Sequence, residues 1–112
     1  MRKIGSLGEE LAVSALLAEG CEIVARNWRC RHGEIDLVVK DGPYLVFVEV
    51  KTRTTDKRGT AAEAVDVRKQ KKLRLLARHF VFETGLTAPA YRFDVVAISG
   101  REKSVKIIKN AF

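Results

Sequence analysis

The sequence predicts an α/β domain in the order αβββαββ, with a central mixed five-stranded sheet flanked by helices. Three observations predict it. Two runs rich in Val, Ile, Leu and Phe, within residues 33–39 and 44–50, are split by the turn-forming Asp41-Gly42-Pro43. Ser6 and Glu9 make an S-x-x-E capping box ahead of an apolar run. Leu73, Leu76, Ala77 and Phe80 recur at i, i+3, i+4 and i+7, the period of a helix with one buried face. With 112 residues and no repeat, low-complexity tract or long linker, residues 1–112 are expected to form one domain around one core.

Residues 1–5 are a short basic segment. The first helix opens at the capping box, runs to about residue 19 and stops at Gly20. Leu11, Ala12, Val13, Ala15, Leu16 and Leu17 spread around much of its circumference, which predicts a largely buried helix. Glu10 is expected to face solvent. Residues 21–29 read as the first strand and end in Arg26-Asn27-Trp28-Arg29. Trp28 is expected in core or rim packing rather than on a base. Arg29, Arg31 and His32 form a basic entry to the following hairpin, suited to phosphate contact. His32 is given no catalytic role.

The hairpin of residues 33–51 carries the chemistry. Strand side chains alternate faces. Across a loop of even length, Glu34, Asp36, Val38, Leu45, Phe47, Glu49 and Lys51 share one face. Ile35, Leu37, Val39, Val46, Val48 and Val50 share the other, which is wholly apolar. Asp36, Glu49 and Lys51 then converge on one small volume. Facing carboxylates destabilise a sheet and push one pKa up. A divalent cation relieves that cost, since Mg²⁺ takes one or two carboxylates plus waters and substrate phosphate. Lys51 would face the metal's outer shell, placed to orient or deprotonate a water or to neutralise transition-state charge.

Residues 52–59 read as a polar loop containing Arg53, Lys57 and Arg58. Residues 60–63 hold a second capping-box candidate, although the regular helix is expected to start near Asp66. Arg68, Lys69, Lys71, Lys72, Arg74 and Arg78 crowd its solvent side, and no acidic residue lies between Arg68 and Phe82. That run is expected to be a phosphate-binding face. Pro89 and Gly85 mark a loop before a strand at residues 91–98, a turn at Ser99-Gly100 and a last strand at about 105–108.

Asp36 followed after a hairpin by Glu49-x-Lys51 resembles the D…(D/E)-x-K signature of the restriction-endonuclease-like PD-(D/E)XK nuclease superfamily. A wider set of motifs is similar to the YraN-like bacterial family, which itself resembles the archaeal Holliday-junction resolvases. Those motifs are Gly8-Glu9-x-x-Ala12, Arg26-Asn27-Trp28-Arg29, Gly33-Glu34-Ile35-Asp36, Phe47-Val48-Glu49-Val50-Lys51-Thr52-Arg53 and Asn110-Ala111-Phe112. They span nearly the whole chain in order.

The resemblance implies a restriction-endonuclease-like core and a metal-dependent endonuclease acting on nucleic acid, with structured or branched DNA in repair or recombination as the substrate class. It implies Asp36 and Glu49 as ligands of Mg²⁺ or Mn²⁺, with the Val50 carbonyl as a further ligand. Lys51 would position the nucleophilic water, and Glu9 would join the catalytic set from the first helix, unless it only caps that helix. Lys69 and Gln70 fall where the resemblance puts a further polar residue beside the site. Arg29, Arg31, Arg53, Arg68, Lys69, Lys71 and Lys72 make up the expected nucleic-acid contacts. A non-catalytic nucleic-acid-binding or scaffold protein that retains the fold is the alternative, and a basic RNA- or ribosome-associated module is a third.

Composition narrows the class. A net charge of +7 and a pI near 9.7 favour a polyanionic partner. The sequence has no apolar run of membrane-spanning length and no signal-peptide pattern, so a soluble, cytoplasmic protein without a membrane partner is expected. A homodimer stays open. Cys21 and Cys30 lack zinc spacing or a C-x-x-C pattern and are expected to remain reduced thiols.

Overall fold

Seven elements follow one another: α1 (Leu7–Ala18), β1 (Glu22–Cys30), β2 (Gly33–Asp41), β3 (Tyr44–Arg53), α2 (Val67–Thr84), β4 (Ala90–Ser99) and β5 (Ser104–Ile108). The structure, a computed structural model, describes residues 7–53, 65–99 and 104–112. The expected basic segment 1–5, the Ser6 cap, the loop 54–59, the capping box 60–63 and Gly100 lie outside the described residues, as does the side chain of Arg53.

One five-stranded mixed sheet runs β1-β2-β3-β4-β5. β3 and β4 pair in parallel over their whole length, and the other three pairings are antiparallel. Parallel neighbours need a long crossover. Here the chain crosses through α2, whose Leu73, Leu76, Ala77 and Phe80 cover one face together with Val38, Leu45 and Phe47. Ala12 and Leu16 of α1 cover the other face, over Leu37, Val39, Val46, Val48 and Val96. Asp41 pairs with Tyr44 across the two-residue loop Gly42-Pro43. Gly42 takes a φ of 59°, a left-handed conformation that favours glycine, and the even loop sets the register of the sheet centre.

Two expectations need correction. α1 is less buried than its composition predicts, for Gly8, Glu9, Ala12 and Leu16 are buried while Leu17 is 53% exposed. A helix lying on one face of a sheet can bury only the stripe that touches it. Ile35 also changes sides. Alternation groups it with Leu37 and Val39, yet it packs with Val38 and Phe80 beneath α2. Asn27 on β1 adopts a φ of 52°, and the β2–β3 ladder ends at Leu37–Val48. Trp28, paired with Ile35, turns the same way and meets Phe80 edge-on, with ring centroids 5.2 Å apart. Both strands therefore break their alternation at one level. Asp36 sits on it.

Asp66 caps α2 by accepting a hydrogen bond from the Lys69 backbone N–H at 2.9 Å, which matches the expected start of the regular helix. Cys21 and Cys30 are free thiols. Among the described residues, no helix is long and apolar enough to cross a membrane.

Candidate functional site

Leu37 and Val48 are the last paired residues of the β2–β3 ladder, and Asp36 and Glu49 each lie one step beyond. The ladder does not simply fray there. The Val50 backbone N–H donates to Asp36 Oδ2 at 2.8 Å, so a side-chain carboxylate takes the place of a backbone acceptor. That bond holds one Asp36 oxygen at the point where β2 and β3 separate.

Glu49 is buried on the α2 face of β3. Its Oε2 accepts from Lys51 Nζ at 3.2 Å and from Lys69 Nζ at 3.1 Å. One lysine comes from the same strand. The other comes from the first turn of α2, where the Asp66 cap fixes the backbone of Lys69. Gln70, its neighbour, turns away and donates to the Val65 carbonyl at 3.0 Å. Lys69 therefore joins the site, and Gln70 braces the approach to the helix.

The electrostatics follow from burial and crowding. Burial pushes the Asp36 carboxyl up to about 6. The Val50 N–H opposes that shift, while Glu49, Glu34 and Glu9 add to it. Lys51 is held below the usual lysine range by burial and by the neighbouring Lys69 amine, against the pull of Glu49. Lys69, which is more exposed, moves up through its bonds to Lys51 and Glu49. Of two ammonium groups on one carboxylate oxygen, the less hydrated gives up its proton more readily. That group is Lys51.

Glu9 bears on the site through its charge. Asn27 Nδ2 donates to its Oε1 at 2.8 Å, and Arg26 Nη2 lies 3.6 Å from the same atom. Glu9 adds to the field that raises Asp36, while Asn27 and Arg26 of β1 approach its carboxylate. Arg26 also pairs with Glu10. Asn27 is a site residue that the pattern reading passed over. Its signal was an asparagine in mid-strand, where that residue is depleted.

The expected phosphate contacts divide. Arg29 pairs with Glu34 at 2.9 Å, while Arg31, Arg68, Lys71 and Lys72 are exposed. Lys72 passes over Gly33, where an added Cβ would lie 3.2 Å from Lys72 Cε and 3.4 Å from a Leu76 methyl. A side chain at that position would make the flexible Lys72 chain give way slightly, and the Gly33 φ of 148° would strain any residue but glycine. His32 stacks on His79 of α2 with ring centroids 4.3 Å apart.

The donor set fits Mg²⁺ or Mn²⁺. Two carboxylates with room for water and phosphate oxygens are the usual protein share of a magnesium site. A cation would also offset the charge crowding that raises Asp36. Among the described residues, no three His, Cys, Asp or Glu side chains gather as a metal-binding group, and Asp36 and Glu49 are the carboxylates that would hold the ion.

The model of a family described as "Uncharacterised protein family UPF0102" matches residues 8–98. The chain belongs to this family. The match extends from α1 to the end of β4 and so takes in Glu9, Asp36, Glu49, Lys51 and Lys69. A UPF0102 protein of Pelotomaculum thermopropionicum is 47% identical over 113 residues, covering 97% of this chain and 94% of its own length. One of Rhodococcus opacus is 46% identical over 112 residues, covering 97% and 95%. One of Symbiobacterium thermophilum is 46% identical over 115 residues, covering 99% and 97%. Membership in UPF0102 carries the YraN-like resemblance read from the motifs.

Proposed function

We propose that this UPF0102 protein is a metal-dependent endonuclease with a restriction-endonuclease-like core, hydrolysing phosphodiester bonds of nucleic acid. Structured or branched DNA is its proposed substrate class. The observation that carries the reading is the meeting of Lys51 and Lys69 on one Glu49 oxygen beside a half-buried Asp36 of raised pKa. Perturbed titratable groups gathered where a ladder opens are the makings of a catalytic site.

Each residue has a role in that reading. Asp36, anchored by the Val50 N–H, and Glu49 would hold Mg²⁺ or Mn²⁺. When bound, the metal would polarise the phosphate and lower the pKa of a coordinated water. Lys51, with its depressed pKa, would take the proton of the attacking water. Lys69 would stay charged and draw in the scissile phosphate. Exposed Arg68 and Lys71 on α2 extend the same positive face along the backbone.

A second reading, a nucleic-acid-binding scaffold that keeps this fold, is favoured by the two lysines that pair with the Glu49 carboxylate. One screen separates the two. Branched, duplex and single-stranded DNA and RNA are incubated with Mg²⁺, Mn²⁺ or EDTA. Cleavage of at least one substrate with metal, absent in EDTA and in Asp36→Asn and Glu49→Gln, is expected. Binding without cleavage across the panel would leave the scaffold.

A further inference from the structure

A row of near-parallel aromatic rings runs beside α2, away from the carboxylates. Tyr91 stacks with Phe47 at 6.4 Å and 19°, Phe47 lies 5.6 Å and 31° from Phe93, and Phe93 stacks on Phe112 at 5.2 Å and 24°. The Arg74 guanidinium caps the row, 5.5 Å from the Phe93 centroid and 5.4 Å from that of Phe112. The groove above the row, about 510 Å³ in volume, is walled by Arg74, Arg78, Val81 and Phe82 of α2 and by Tyr91 and Phe93 of β4. That size suits a small-molecule moiety such as a nucleotide. Phe82 is 87% exposed and Tyr91 45%, so two rings of the groove stand in water.

We propose that this groove binds a single-stranded nucleotide, with an unstacked base against Phe82 and Tyr91 and its phosphate between Arg74 and Arg78. Apolar walls alone would fit many occupants, and charge narrows them. The helix wall carries two arginines and no acid, in a chain of net charge +7, so a polyanion is complementary and an acidic-to-neutral peptide core is not required. The ring row is already aligned for one more flat ring. A base–aromatic stack tolerates any base, and arginines on the same wall supply the phosphate contact.

The position ties the groove to the candidate site. Phe47, part of its floor, precedes Glu49 by two residues on β3, so about 7 Å separates them along the strand. Arg78 follows Lys69 by nine residues on α2, about 14 Å along the helix and about half a turn around it. A strand with its phosphate at Lys69 would reach the groove within a few nucleotides. The proposal rests on the nucleic-acid-binding half of the reading above and not on catalysis. It makes the preferred substrate one with unpaired nucleotides beside the scissile position.

Binding measured in EDTA tests it apart from cleavage. Fluorescence anisotropy compares a labelled 12-mer single strand with a blunt duplex of that length, for wild type, Phe82→Ala, Phe82→Trp and Arg78→Ala. Phe82→Ala should weaken single-strand binding about tenfold and leave the duplex within about twofold, the scale of losing one base stack. Phe82→Trp should restore it. Arg78→Ala should weaken single-strand binding and reduce its salt slope. Equal affinities in wild type and Phe82→Ala would overturn the groove and leave the nuclease reading standing. A Phe82-dependent single-strand preference in a protein that cuts nothing would do the reverse. If Phe82→Ala instead dissociates a dimer without changing DNA affinity, the groove is a self-association surface and the proposal falls. Absence of wild-type binding to the single strand would likewise overturn the groove, while the branched-substrate screen above decides the nuclease reading.

Discussion

Lys69, in the first turn of α2, places its Nζ 3.1 Å from Glu49 Oε2, the same oxygen that Lys51 approaches from β3 at 3.2 Å. A strand and a helix thus share one acceptor, and the amine on the strand bears the consequence. Burial and Lys69 together depress Lys51. Removing Lys69 should undo part of that depression.

On a substrate that wild type cuts, Lys69→Ala should move the rising limb of the single-turnover pH profile, set by deprotonation of Lys51, to higher pH. Lys51→Ala and Lys51→Met should instead cut the chemical step by about 10²-fold or more while keeping affinity within a few-fold. Single-turnover rates beside equilibrium binding make the comparison. A Lys51→Ala protein that cuts as fast as wild type removes Lys51 from the mechanism.

Asp36 gives a pH-dependent stability. Its folded pKa of about 6 lies above the ordinary 3.8, so the folded state holds the proton more tightly than the unfolded one. The stabilising contribution is therefore full below the unfolded value and is lost as pH rises through the folded one. At pH 7.5 without metal, Asp36→Asn should be more stable than wild type by up to about 3 kcal/mol. Near pH 4 the advantage should vanish. Urea melts at both pH values check this. Mn²⁺ should raise the midpoint of wild type but not of Asp36→Asn, and equal shifts in both would remove Asp36 from the metal site.

Lys71 and Lys72 are exposed on α2, free of the Glu49 cluster. Each duplex phosphate neutralised adds about 0.9 to the slope of log affinity against log salt. The pair Lys71→Glu and Lys72→Glu should flatten that slope in a titration of duplex binding. An unchanged slope would move the phosphate track off this helix face.

Arg92 and Asp94 make the prediction farthest from the candidate site. Asp94 is 1% exposed and accepts from Arg92 Nε and Nη2, each at 2.9 Å, and from the Asn110 N–H at 2.9 Å. Arg92 also donates to Asp41 at 2.8 Å, and its pKa rises further beyond the titration range. Arg92→Ala would strand a buried carboxylate, at a cost of about 3–5 kcal/mol. The urea midpoint should fall accordingly, and Arg92→Lys, lacking the planar fork, should recover only part of it.

Much of the hairpin was legible in advance because its physics is local. Gly42-Pro43 demanded a turn, the loop came out even, and the face carrying Glu49 and Lys51 followed by counting in twos. The start of α2 near Asp66 and its buried Leu73, Leu76, Ala77 and Phe80 followed in the same way. Ile35 did not, because β1 and β2 break their alternation at the level of Asn27 and Asp36, where Asn27 takes a left-handed conformation. No periodicity encodes a break in periodicity.

Sequence by itself determined the element order, the turn register, the helix cap and the residue types that can meet at the end of β2 and β3. Side-chain period and turn chemistry act over a few residues, so a linear chain carries them openly. Tertiary structure alone decided that Lys69 shares Glu49 with Lys51, that Asn27 holds Glu9, and that Arg92 joins Asp41 to Asp94. It also decided that Phe112 extends the ring row of β4. Those pairs join segments far apart in the chain, and their distances were set only when α1 and α2 closed on opposite faces of the sheet.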